Sequence, residues 1–170
     1  LFIDLFCKDK EGKQNFISLY NALHNTNLDL ATTTVQEVNI ENVLYMALSN
    51  DIAMLVDNKL VVLVEHQSTI NENMPLRLLE YVSRIYEQLV PSEDRYEKKM
   101  IKIPYPEFFV FYNGTEDYPV ETELRLSDAF IFPDEKYNVK SSDLTIEIKV
   151  KIININSDKQ SPILKQCKKL

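Results

Sequence analysis

Glycine is nearly missing from this chain: Gly12 and Gly114 are the only two among 170 residues. A Walker A loop, a G-x-G-x-x-G dinucleotide turn and a G-x-S-x-G nucleophile elbow each need closely spaced glycines, so all three are excluded. Cysteine is as scarce. Cys7 and Cys167 stand at opposite ends with no C-x-x-C between them, so neither a thiolate zinc site nor a disulfide framework is expected, and a reducing, cytoplasmic setting follows. Two histidines, His24 and His66, are too few for a histidine-based metal cage. No apolar run approaches the roughly 20 residues that span a bilayer, and Leu1-Phe2-Ile3-Asp4 lacks the basic start of a signal peptide. Positive charge is short too: 19 Lys and Arg against 26 Asp and Glu leave a net charge of −7. That balance excludes a protein that coats nucleic acid through bulk charge.

What is present is ordinary for a globular domain, with 45% apolar and 26% charged residues. The length fits one domain over 1–170. Because the chain starts without Met and stops inside a helical-looking stretch from Ile163 to Leu170, it is expected to be a piece of a longer protein, truncated at its C-terminus. Phe16, Leu19, Tyr20 and Leu23 recur at helical spacing and predict an amphipathic helix over 13–24. A polar loop follows over 25–34, and 40–48 is ambiguous, one or two helical turns at most. Two apolar runs, Asp51 to Val56 and Leu60 to Val64, surround Asp57-Asn58-Lys59 and predict a buried β-hairpin. Asn73-Met74-Pro75 opens a second helix, with Leu78, Val82, Ile85 and Leu89 on one stripe and Pro91 closing it. Residues 95–102 are charged and expected on the surface. Glu107 to Tyr112 reads as a strand ended by Asn113-Gly114. Thr145 to Ile152 alternates strictly and reads as a half-exposed strand near a sheet edge. The order of elements implies an α/β fold, a mixed sheet flanked by helices.

Charge at the ends of buried strands is the informative feature. Glu65-His66-Gln67 continues five apolar residues, and Asp51 begins the preceding strand. A three-residue turn at 57–59 would set Asp51 directly opposite Glu65, with Gln67 on the same face; a two-residue turn would shift this by one. Two carboxylates about 5 Å apart at the Cβ atoms must be neutralised by protonation, by a Lys or Arg, or by a divalent cation. Mg²⁺ suits a set of two carboxylates, a backbone carbonyl near residue 66 and waters, and can activate a water against a phosphodiester. The Gln67 amide is no base, but it can position that water or a phosphate oxygen. His66 falls on the opposite face as a structural residue. His24 reads as a cap at its helix end.

At these residues the sequence resembles the recombination-promoting nuclease and putative transposase family (YhgA-like) of the PD-(D/E)XK nuclease superfamily. The resemblance rests on Asn50-Asp51-Ile52-Ala53, Glu65-His66-Gln67-Ser68-Thr69, Asn73-Met74-Pro75-Leu76-Arg77 and Tyr81. It extends to 104–114, 126–130 and 154–156. It implies a restriction-endonuclease-like core with the active site on the hairpin, and Mg²⁺- or Mn²⁺-dependent DNA cleavage in transposition or recombination. Carried over, Asp51 is the central acid and Glu65 the second metal ligand. Gln67 stands where most of the superfamily has Lys, which removes a positive charge from the site. Arg77 would contact phosphate or pair with Glu80 or Glu65. Of Glu11, Glu37 and Glu41, any one of which could be a further acid, Glu41 is favoured. The partner is DNA and not a membrane, and a homodimer would suit double-strand cleavage. The rival reading is a catalytically silent nuclease fold that binds DNA or a protein.

Overall fold

The computed structural model describes residues 5–38, 51–140, 142–159 and 161–167, apart from the side chains of 63–67, 135 and 166. Helix α1 spans Asp9–His24, α2 spans Met74–Leu89 and α3 spans Pro162–Gln166. Six strands, β1 (Val35–Glu37), β2 (Ile52–Val56), β3 (Lys59–Gln67), β4 (Tyr105–Tyr112), β5 (Glu121–Arg125) and β6 (Lys149–Asn154), form one sheet in the order β1-β2-β3-β4-β6-β5. β3, β4 and β6 run parallel at its centre, with antiparallel pairs on both flanks. This mixed sheet flanked by helices is compatible with a restriction-endonuclease-like core.

Alternation along the strands divides the interior in two. Ile52, Met54, Val56, Val61, Phe109 and Phe111 pack on one face with Phe16, Ile17, Leu19 and Tyr20 of α1. Ala53, Leu60, Val62, Phe108, Val110 and Tyr112 pack on the other with Met74, Leu78, Tyr81, Val82 and Ile85 of α2. Strands covered on both faces have no polar side to show, which is why β3 and β4 read as nearly continuous apolar runs.

Both long helices lie where the apolar stripes predict. α1 starts four residues earlier than its stripe, because the Asp9 Oδ1 accepts the Glu11 and Gly12 backbone N–H groups at 2.8 and 3.2 Å. Asn73 occupies the cap position of α2 without a side-chain bond; instead the Asn71 Oδ1 accepts the Asn73 N–H at 3.0 Å.

Two expectations are corrected. The β2–β3 turn has two residues, since Val56 pairs with Lys59 and Ile52 with Leu63. Asp57 takes the left-handed conformation (φ 51°) that such a turn demands. One further step of the ladder sets position 51 across from 64, so the Asp51–Glu65 register does not hold. The stretch from Thr145 is likewise not all strand: β6 begins at Lys149 and sits between β4 and β5, so the edge belongs to β5. Residues 147 and 148 are engaged elsewhere. The Ile148 carbonyl accepts the Leu126 N–H at 2.9 Å, and the Glu147 carboxylate accepts the Ser127 hydroxyl at 2.7 Å. The ambiguous stretch 40–48 lies outside the described residues.

Candidate active site

Parallel strands deliver their last carbonyls and succeeding loops to one end of a sheet, where ligands of open α/β folds are received. Here that end is formed by the C-termini of β3, β4 and β6 together with the start of β2. Asp51 immediately precedes β2 and is partly buried. Ile52 faces α1 and Ala53 faces α2, so Asp51 belongs to the α2 face. Its charge is felt there: burial first, and then the Asp51 carboxylate, push the Tyr81 phenol of α2 above its ordinary value.

The strand opposite carries an irregularity at the place the chemistry would need it. Val64 pairs with Val110 and Gln67 with Tyr112, so β3 takes three steps where β4 takes two. An extra residue of this kind breaks alternation and re-aims the side chains beyond it, and such bulges are frequent beside active sites. Position 67 thereby falls in register with Tyr112, on the α2 face that Asp51 shares. Position 65 lies inside the bulge, so strict alternation from Glu65 to Gln67 does not apply. The side chains of Glu65, His66 and Gln67 are outside the described set.

The loops at this end are tied together closely. A Cβ on Gly114 would run into the Ser68 carbonyl oxygen and the Tyr112 ring, so only glycine lets these two loops meet. Asn156 Nδ2 donates to the Gly114 carbonyl at 2.9 Å, and Asn154 Nδ2 donates to that of Tyr118 at 2.9 Å. The Tyr112 hydroxyl accepts the Glu116 N–H at 3.1 Å. Beside them opens a groove of about 730 Å³, lined by 69–73, Glu116, Tyr118 and Leu124. Sequence reasoning missed Tyr118, which has no motif of its own; only the fold brings it beside the loop after β3.

Arg77 is half-buried in the first turn of α2 at the same end, its guanidinium 3.3 Å from the Met74 sulfur. The other candidates scatter. Glu11 is exposed on α1. Glu37 pairs with Met54 across β1 and β2, on the face opposite to Asp51. Its charge, after burial, contributes to pushing the Cys7 thiol up to about 12. Glu41 is outside the described residues. His24 is far from a simple cap: its Nδ1 meets the Tyr20 carbonyl and its Nε2 the Glu107 carboxylate, both at 3.0 Å.

No group of three His, Cys, Asp or Glu side chains surrounds a common point among the described residues. Both cysteines are buried in the core beneath α1, so among the described residues no thiolate stands at the Asp51 end. The Asp51 carboxylate and the backbone carbonyls at this end of β3 are hard oxygens. Oxygens of this class are the donors that Mg²⁺ takes.

A family described as "Putative transposase, YhgA-like" matches residues 14–163. The chain belongs to that family. No curated protein and no solved structure matches it. The matched span of this YhgA-like family runs from within α1 to α3 and takes in Asp51, the β3 bulge, Arg77 and the Gly114 loop. Membership associates the chain with transposition and with DNA as its partner. No described helix is long and apolar enough to cross a membrane.

Proposed function

We propose that the chain is a single nuclease domain that cleaves DNA phosphodiester bonds with Mg²⁺ or Mn²⁺ at the carboxyl end of its parallel strands. The observation that carries this reading is the β3 bulge, which sets position 67 on the face of the partly buried Asp51. Asp51 and Glu65 hold the ion, as their hard-oxygen chemistry allows. When bound, Mg²⁺ supplies the charge that favours attack of water and departure of the leaving oxygen. The Gln67 amide orients a water or a phosphate oxygen but takes no proton. Arg77 contacts phosphate, and Tyr81 stands near enough to Asp51 for that carboxylate to help raise its phenol. On duplex DNA two copies act together, one on each strand.

Incubation with supercoiled plasmid tests this. Nicking or linearisation should require Mg²⁺, stop with EDTA, and fall by roughly 100-fold or more in Asp51→Ala and in Glu65→Ala, the scale of losing a main electrostatic stabiliser. Undiminished cleavage by both variants would reject the site. Gln67 in place of Lys favours one rival, a silent fold that binds DNA without turnover; titration calorimetry that finds no Mg²⁺ or Mn²⁺ uptake by folded protein would support that rival.

A further inference from the structure

At the end of the sheet away from Asp51, the loop from α2 to β4 carries one of the two densest runs of positive charge in this acidic chain. Lys98, Lys99 and Lys102 fall within five residues that contain no acid, and all three are exposed. None of them lies within ion-pair distance of a carboxylate among the described residues. Arg95 differs: its guanidinium donates to the Val90 and Glu87 carbonyls at 3.2–3.3 Å and closes the end of α2. The loop is fixed in place as well, since the Tyr86 hydroxyl donates to the Pro104 carbonyl at 2.7 Å. A groove of about 530 Å³ lies between it and α2, lined by Lys98 and Lys99 and also by Glu87, Asp94 and Glu97. Apolar and aromatic side chains stand out among the cations, Tyr96 at 90% and Met100 at 77% exposed.

α2 connects this loop to the candidate active site. Its 16 residues span about 24 Å, or about seven base pairs of duplex at 3.4 Å each. Arg77 and the exposed Arg84 sit seven residues apart, hence on one side of the helix, between the two places. Glu80 and Glu87 are interleaved with them, so the helix itself is no continuous cationic track. The strong positive contact comes at its far end.

Resting on the nuclease reading above, we propose that Lys98, Lys99 and Lys102 form a remote anchor for the backbone of duplex DNA, about seven base pairs from the bond to be cut. An acidic protein needs such an anchor, because phosphates are otherwise repelled from most of its surface. The contact is one of charge and reads no sequence.

The test is binding of a labelled duplex of about 30 base pairs by the full chain in EDTA, so that cleavage plays no part. Between about 50 and 200 mM salt, log K against log salt should lose up to about 2.7 in slope in the Lys98→Ala/Lys99→Ala/Lys102→Ala variant, 0.9 for each phosphate contact. Removing the same charge elsewhere, in Lys10→Ala/Lys136→Ala/Lys140→Ala, should leave the slope as in wild type. Wild type should also gain affinity as the duplex is lengthened past about seven base pairs, and the first variant should gain less. An unchanged slope in the first variant, as for a loop that serves an acidic protein, or equal losses in both variants, would overturn the anchor. A reduced slope in a protein that cuts nothing would leave the anchor standing while the nuclease reading falls.

Discussion

The two ends of the central sheet hold similar residue types in different states of engagement. At the amino end of the parallel strands, His24, Glu107 and Lys59 satisfy one another: His24 Nε2 meets one Glu107 oxygen at 3.0 Å and Lys59 Nζ the other at 3.4 Å. His24 is also stacked on Tyr20, with ring centroids 4.1 Å apart, and touches Phe109 edge-on. That His–Glu–Lys set straps α1 to β3 and β4. At the carboxyl end lie Asp51, the β3 bulge and the loops joined through Gly114, Asn154 and Asn156, beside the groove lined by 69–73, Glu116, Tyr118 and Leu124. A histidine beside a glutamate is easily mistaken for catalytic machinery. The His24–Glu107–Lys59 cluster is closed on itself and acts as a strut, whereas the carboxyl end opens on a groove and is where the site is proposed.

That contrast can be broken from either side. The largest structural effect should come from Gly114→Ala, which forces the Ser68 and Asn113-Gly114 loops apart. Overpacking of this kind destabilises by about 1–3 kcal/mol, and cleavage should fall with it, as read by thermal unfolding alongside the plasmid assay. Glu107→Ala should also destabilise, by about 1–3 kcal/mol, because two polar partners lose their acceptor. Yet its cleavage rate at a temperature where it is folded should match wild type. Equal damage to turnover would erase the distinction between strut and site. The smallest effect belongs to Ser127→Ala, which removes one hydrogen bond to Glu147, about 0.5–1.5 kcal/mol. Burial raises the Glu147 carboxyl, but bonds from Ser127 and Ile148 outweigh it and hold it below the usual 4.5. A lowered carboxyl stabilises fully above that value and loses its contribution as pH falls through the folded one. The gap between wild type and Ser127→Ala in denaturant midpoint should therefore narrow only below about pH 4.5.

Much of this architecture was legible because packing leaves a periodic trace. The stripes of α1 and α2, and the apolar runs of β3 and β4, are direct records of what each face touches. β5 left no such trace: Glu121-Thr122-Glu123-Leu124-Arg125 lies at an edge and buries little, so its sequence carries charge in place of an apolar run. The hairpin register was missed by one because Lys59 reads as a turn residue while its backbone already pairs with Val56. Asp57-Asn58, a pair at ease in left-handed conformations, was the signal for the shorter turn. The β3 bulge had no local marker at all, since neither glycine nor proline interrupts 60–70. Asp51, Glu65, Gln67 and Arg77 were readable as candidates, but the geometry that groups 51 with 67 is a long-range consequence of β4.

The central claim is positional, and metal-directed backbone cleavage addresses it directly. With Fe²⁺ in place of Mg²⁺, ascorbate and peroxide generate an oxidant that cuts the polypeptide closest to the ion. The account predicts cuts around residue 51 and across 64–67, suppressed by excess Mg²⁺ and absent from Asp51→Ala. Cuts clustered elsewhere, such as around His24 and Glu107, or a pattern unchanged in Asp51→Ala, would contradict it.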